Sequence, residues 1–330
     1  MLFRVATRIL KAFSLIATAH VAASTTANFN LKSAEFTDQL TQSSVSKIVQ
    51  TASGALWIGT QEGLNKYTGH DVQTYRSSPS DTNSLSSDVV TDIAEATNGT
   101  LWIATLNGGL NSYNAADNTF SALLANGANE NGLRSNNVYS VHASEKGGVW
   151  IGHEGAFTYL EDNEQTYHHF DSKYFQQPLG LVTGFAELTN SVYVSTTEGG
   201  LIEVGSDLTL ARSIFPTSTG PLSDRAQLTK VAPDHEGLLW VGSLDHGVLL
   251  FDPSLNTFVE NDEIEKLNSL LPSQTVYEIF VDESGFIWIG TNSGLSIYDT
   301  QKNQLINLDS ESSDLQSDRI TSVFQSKDGT

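Results

Sequence analysis

The 330-residue chain carries 38 acidic against 17 basic residues and no cysteine. Its formal charge of −21 argues against nucleic acid and anionic membrane surfaces as partners. Without thiols there can be no disulfide, cysteine nucleophile, thiolate metal site or iron–sulfur cluster.

Residues 1–23 read as a cleaved export signal. Arg4, Arg8 and Lys11 form a positive start, residues 12–19 are a short apolar run, and Val21-Ala22-Ala23 before Ser24 offers a cleavage site. Ala17-Thr18-Ala19 is a rival site. The run is too short to span a bilayer comfortably. Export implies the periplasm, and loss of the three basic residues leaves the mature part at −24. No later stretch is apolar enough for a membrane span, so none is expected in this piece. Residues 24–39 are a polar segment, and their strand-like part, 29–36, is a candidate closing strand.

From residue 40 the chain repeats. Leu56-Trp57-Ile58-Gly59-Thr60 returns as Leu101-Trp102-Ile103-Ala104-Thr105, Val149-Trp150-Ile151-Gly152, Leu239-Trp240-Val241-Gly242-Ser243 and Ile287-Trp288-Ile289-Gly290-Thr291. A degenerate copy has Tyr193 in the Trp slot. The slots are 45, 48, 43, 47 and 48 residues apart, a period that signals a repeat architecture. Units open at Leu40, Leu85, Leu133, Leu179, Leu222, Leu271 and Leu315.

Each unit predicts four short strands joined by Gly-rich turns. The first strands fall at 45–50, 89–95, 138–143, 182–187, 228–232, 276–282 and 320–325. The Trp strand is second, a strand such as Gly63-Leu64-Asn65-Lys66-Tyr67 third, and a short aromatic-tipped strand fourth. This pattern predicts an all-β fold, a β-propeller of four-stranded antiparallel blades. The Trp strand is apolar on both faces, as expected of a strand covered by a blade on each side. The glycine two after Trp is expected to leave room for a ring from the adjacent blade. After Ser326-Lys327-Asp328-Gly329-Thr330 the repeat calls for an aliphatic residue and Trp. The chain therefore reads as six complete blades plus the start of a seventh, an incomplete ring from a longer protein.

The unit at 276–299 resembles the two-component regulator propeller repeat. It carries Val276, Ile279, Asp282, Gly285, Ile287-Trp288-Ile289-Gly290-Thr291, Gly294-Leu295 and Tyr298-Asp299. The resemblance covers about residues 40–330. It implies the exported sensor part of a bacterial receptor, a homodimer in the full protein. Output would come from a histidine kinase, diguanylate cyclase or transcription regulator absent from this chain. Several members of that family sense carbohydrate fragments.

The turns between second and third strands are expected on the face where propellers bind ligands. Candidate ligand contacts there are Glu62, Asn107, His153, Glu154, Glu198, Asp245, His246 and Asn292, with Tyr139 and Tyr277 near the axis. Polar hydrogen-bonders beside aromatic planes suit a small polar ligand such as a carbohydrate. His153, Glu154, Asp245 and His246 are the one cluster with metal-binding residue types, but they come from blades that are not neighbours. No catalytic residue, metal or cofactor is assigned. The alternatives are an enzyme of the streptogramin-lyase type, which shares the Asp-x-x-Gly-x-x-Trp turn, and a non-catalytic interaction scaffold. Residues 260–265 read as a solvated acidic loop. His168 and His169 read as polar residues of an outer strand.

Overall fold

The computed structural model describes the backbone at 14–16, residue 34, and residues 36–125, 131–162, 165–215, 226–327 and 329. It contains six four-stranded sheets, each a meander in chain order. In the first, Val45–Gln50, Leu56–Thr60, Gly63–Tyr67 and Val72–Tyr75 pair antiparallel in succession. The other inner strands are Val90–Glu95, Ser140–Ala143, Val182–Leu188, Leu228–Pro233 and Val276–Val281. The turn glycines Gly54, Gly99, Gly237 and Gly285 hold φ of 84° to 87°, which only glycine adopts without strain.

The core lies between the blades. Trp57 and Leu64 of the first blade pack with Leu85, Val90, Ile93 and Phe120 of the second. Trp57 is 2% exposed and Ile58, on the opposite face of the same strand, is fully buried. The expected ring from the next blade is not what faces the glycine after Trp. A Cβ at Gly59 would stand 2.6 Å from Val90, and one at Gly290 would stand 2.7 Å from the Ile320 carbonyl. The space goes to the first aliphatic residue of the next inner strand, whose side chain meets Gly59, Gly152 and Gly242. The aromatic neighbour of Trp57 is instead Tyr113, at 4.7 Å between ring centroids.

Side-chain hydroxyls staple five of the six inner strands to the next. Ser46 donates to the Val90 carbonyl at 2.7 Å, Thr91 to Val138 at 2.7 Å, Ser140 to Val182 at 2.8 Å, Thr183 to Leu228 at 3.0 Å and Thr229 to Val276 at 2.7 Å. A further strand, Ser322–Phe324, lies between the inner strands of the sixth and first blades. Thr321 beside it donates to the Val45 carbonyl at 2.9 Å. The Glu283 amide donates to Gln325 at 3.0 Å, and the Lys327 amide to Gln50 at 2.8 Å. This strand therefore holds the place of a seventh inner strand.

The backbone of Ser14–Ile16 pairs with Ser322–Phe324 in parallel, unlike the antiparallel pairs inside the blades. The rest of the expected leader lies outside the described residues. So does the candidate closing strand apart from Ala34 and Phe36. Phe36 precedes a 3-10 turn, Thr37–Gln39, and its ring stacks on Tyr67 at 3.9 Å.

The acidic stretch at 260–265 is not a loop. It starts the helix Asp262–Leu270, where the Asn261 side chain caps the Ile264 amide at 2.9 Å. Asp262, Glu263 and Glu265 fill its first turn, where negative charge is favoured by the helix dipole. The helix stands in for part of a shortened fourth strand, Thr257–Phe258. The Asn268 amide group bonds both the N–H and the C=O of Val248, each at 2.8 Å.

The Asp-x-x-Gly-x-x-Trp turn has a structural explanation. Asp282 accepts from the Ser284 amide at 2.9 Å, the Phe286 amide at 3.0 Å and the Trp288 indole at 2.8 Å. Asp234 does the same for Trp240 at 2.9 Å. Asp282 is 2% exposed. Replacing it with Ala strands two buried donors, the Phe286 amide and the Trp288 indole. Asp282→Ala is expected to lose about 2–4 kcal/mol in urea unfolding. A loss below about 1 kcal/mol would contradict this role.

Candidate functional site

The turns between second and third strands share one face with the connections that lead into the inner strands. Backbone bonds join them across blades: Gly109 to the Asn136 carbonyl, Gly155 to Gly180, Gly247 to Gln274 and Gly294 to Asp318. Beneath five of the six turns a hydroxyl at the end of the Trp strand closes the hairpin. Thr60 donates to the Gly63 carbonyl at 2.8 Å, Thr105 to Gly109 at 2.9 Å, Thr196 to Gly200 at 2.8 Å, Ser243 to Gly247 at 3.1 Å and Thr291 to Gly294 at 2.9 Å. The turn residues above are thus held by a common frame and differ only in side chain.

Seven of the eight candidate residues lie in these turns with surface-accessible side chains. Glu62, Asn107, Glu154, Glu198, Asp245 and Asn292 are exposed, and His246 is half-buried. Glu62 stands 3.6 Å from Arg76, and both side chains are more than half exposed. Asn107 has φ of 64°, so it serves the turn itself, and its amide donates to Asn137 at 2.9 Å. Asp245 and His246 pair with each other at 2.7 Å. Among the described residues no group of three or more His, Asp or Glu side chains is arranged to hold a metal ion.

His153 is different. It is fully buried and takes the place that Thr or Ser holds in the other five blades. Neither ring nitrogen has a hydrogen-bond partner. Burial pushes its pKa down to about 4, outweighing the Asn137 backbone, which favours the charged form. Positive charge on His169 and Arg134 works in the same direction as burial. His153 is a packed group under the face, not a contact on it.

Near the axis, Tyr277 is half-buried and its hydroxyl donates to Asn292 at 3.3 Å. The Arg319 guanidinium sits 4.6 Å above the Tyr277 ring. Tyr277, Asn292 and Arg319 form one patch combining an aromatic plane, an amide and a cation. Arg319 escaped sequence reasoning because the seventh unit has no complete copy to align it with. Its place just before Ile320, the opening of an inner strand, was the available signal. A cleft of about 340 Å³ opens on the opposite face, between the fifth and sixth blades. It is lined by Asp234, His235, Glu236, Glu263, Tyr298 and Gln301, and none of the eight candidates borders it.

Residues 84–107 and 270–293 match the family described as Two component regulator propeller. The chain carries two component regulator propeller repeats. Over 57 residues, 17% of this chain, it is 49% identical to histidine kinase P4 of Formosa agariphila, and the match spans 4% of that protein. The extracellular domain of the hybrid two component system BT3049 of B. thetaiotaomicron is 25% identical, with a TM-score of 0.70, over 86% of this chain and 37% of that one. Virginiamycin B lyase from Staphylococcus aureus, at 10% identity and a TM-score of 0.58, covers 83% of this chain and 84% of its own. That last likeness is one of fold alone. The chain spans 4% of the histidine kinase P4 it matches and 37% of the BT3049 extracellular domain. No described helix is long and apolar enough to cross a membrane.

His153 gives the fold a pH dependence of known sign. In the fold it is neutral down to about pH 4, whereas the unfolded chain protonates near 6.5. Between these values the unfolded state binds the extra proton, so stability falls as pH drops through this window. The contribution is about 3 kcal/mol across the full interval. In His153→Thr, urea unfolding measured from pH 7 to pH 4 should give a flatter profile by that amount. An unchanged slope would place the titration elsewhere.

Proposed function

We propose that this chain is an exported, non-catalytic sensing module of a bacterial signal-transduction receptor, and that its loop face takes a small polar ligand. The observation that carries the reading is the likeness to the extracellular domain of BT3049, at 25% identity over 86% of this chain. The positive-then-apolar leader at 1–23 supports export. The loop face supports recognition by its plan: a repeated, hydrogen-bonded frame carries turns of differing side chains. Carbohydrate is the ligand class that fits the Tyr277, Asn292 and Arg319 patch, since sugars combine an apolar ring face with a rim of hydroxyls. Glu62, Asn107, Glu154, Glu198, Asp245 and His246 supply further polar contacts around the same face. Within a longer protein, ligand bound across blades would favour one arrangement of paired modules over another and so bias the output domain. The pairing of modules as a homodimer belongs to the same proposal.

Two measurements test it. Expression with the native leader should yield a periplasmic product whose N-terminus is Ser24, and retention of residues 1–23 in the cytoplasm would overturn the export reading. Calorimetric titration against neutral and acidic oligosaccharides should find a binder whose affinity drops at least tenfold in the Tyr277→Ala, Asn292→Ala double variant. Binding that persists in the double variant would move the site off this patch, and the cleft between the fifth and sixth blades would be the next place to test.

A further inference from the structure

The fifth and sixth blades leave open a place that the first and second fill. In the first blade Lys66 stands opposite Trp57 across the hairpin. Its ammonium lies 5.1 Å from the Trp57 ring centroid, 5.2 Å from that of Tyr113 in the second blade, and 3.3 Å from the Tyr113 hydroxyl. An aromatic ring attracts a cation held within about 6 Å of its face. Tyr75, the last residue of the fourth strand, stacks on Trp57 at 5.7 Å and covers it.

Trp240 and Tyr298 repeat the pair of Trp57 and Tyr113. Tyr298 lies opposite the residue before Trp288, as Tyr113 lies opposite the residue before Trp102. The Trp240 and Tyr298 centroids are 5.8 Å apart, and Asn303 accepts from the Tyr298 hydroxyl as Asn118 does from that of Tyr113. The other two parts have changed. Leu250 stands opposite Trp240, so the hairpin brings no ammonium group. The fourth strand ends at Phe258 and Asn261 turns the chain into the helix Asp262–Leu270, so no ring follows in the manner of Tyr75. The cleft between these blades lies where those parts are missing, and Trp240, Leu250, Ile264 and Tyr298 belong to its buried lining.

The charge around the cleft is of one sign. Glu236 comes from the first turn of the fifth blade, Glu283 from that of the sixth, and Glu263 from the helix, and all three are exposed. Among the described residues none of them forms an ion pair, and the lining has no Lys or Arg. Asp234 adds a fourth charge, its oxygens accepting from the Trp240 indole and from two backbone amides. His235 is the one lining group able to turn positive, and its ring nitrogen donates to the Asp282 carbonyl at 3.0 Å. Burial raises the pKa of the Tyr298 hydroxyl, and the charges of Glu263 and Asp299 raise it further, a mark of the negative field at this ring.

We propose that this cleft binds a small organic cation, its ammonium group held by Glu236, Glu263 and Glu283 and directed at the rings of Trp240 and Tyr298, as the Lys66 ammonium is directed at those of Trp57 and Tyr113. The alkyl part of such a ligand packs on Leu250 and Ile264. The volume of about 340 Å³ is at the small end of the roughly 300–1,000 Å³ of ligand pockets, which suits an aliphatic amine and not an oligosaccharide. An organic cation fits better than a metal ion, since among the described residues these carboxylates are not arranged as a metal-binding group. The cleft lies on the face opposite the variable turns, so its ligand is independent of what those turns bind.

The test is calorimetric titration of the 330-residue chain at low ionic strength, where exposed charges are least screened. The probes are putrescine, spermidine and choline, with the diol of putrescine's length as neutral control. At least one amine should bind with a dissociation constant of about 1 mM or below, and the diol should not bind. Both Glu263 and Glu283 are exposed, so the double variant Glu263→Gln, Glu283→Gln should fold as the parent does and bind the amine at least tenfold more weakly. Leu250→Lys gives the fifth blade the lysine of the first and should abolish binding by placing the chain's own ammonium in the cleft. Undiminished affinity in the double variant, competition by magnesium ion as effective as by a second amine, or no binding of any amine would overturn the proposal.

Discussion

The whole structure depends on one constraint: each Trp strand is apolar on both faces. Ile58, Ile103, Ile151, Val194, Val241 and Ile289 are fully buried, with Trp57, Trp102, Trp150, Tyr193, Trp240 and Trp288 at 5% exposure or less on the other face. A strand of this kind needs a sheet on each side. A sheet alone cannot supply that, and a row of sheets leaves both end faces bare. Only a closed ring covers every face. The small residue after Trp follows from the same demand, because it lets the next inner strand come within contact of the backbone. The stapling hydroxyls then convert closeness into fixed spacing. Their carbonyl acceptors sit at the starts of inner strands, away from the antiparallel ladder, so the staples add bonds without competing with the sheet.

Much of this was legible in the sequence, and the reason is periodicity. A Trp every 43 to 48 residues with Gly turns on both sides identifies strand order, and the inner and outer strands fall within a few residues of their expected bounds. What periodicity could not show was the side on which each inner-strand residue points. A bulge sets two residues against one and breaks the simple alternation of a strand. Such shifts occur between Val45 and Lys47, Val90 and Asp92, Leu228 and Lys230, and Val276 and Glu278. Lys47 and Lys230 come to stand opposite Gly59 and Gly242 through these bulges. The helix Asp262–Leu270 was missed because its cap is the single residue Asn261 and its acidic first turn looks like a solvated run.

The candidate face divides in the same way. That the variable turns share a face follows from blade topology, and the sequence carries topology well. Which of their residues are exposed depends on depth, and depth is a property of three dimensions. His153 shows the difference. In sequence it belongs to a polar turn, yet its slot belongs to the buried row of hydroxyl caps. The substitution exchanges a satisfied hydrogen bond for a ring with two unpartnered nitrogens, so the third blade is the one whose stability depends on a neutral imidazole.

The axis and the ring closure are physically linked. Glu278, Ser322 and Lys47 belong to the sixth blade, the seventh inner strand and the first blade. Among the described residues, these are the junctions where the sheet consists of Ser322–Phe324 and its Ser14–Ile16 partner. The sixth blade has Tyr277 in the slot where the first, second, fourth and fifth place a stapling Ser or Thr, and no Ser follows it as Ser140 follows Tyr139 in the third, so its junction with the seventh strand is held by the Ile320 to Thr291 and Gly294 to Asp318 backbone bonds, the Glu283 to Gln325 bond and the packing of Trp288 and Leu295 against Ile320 and Val323. A change of charge on the axis would therefore act on these junctions. The same inner strand carries Tyr277 up to the loop face and Glu278 into the axis on adjacent residues. Movement of that strand would be felt at both, and this adjacency gives the axis a physical route to the loop face that needs no longer chain of contacts.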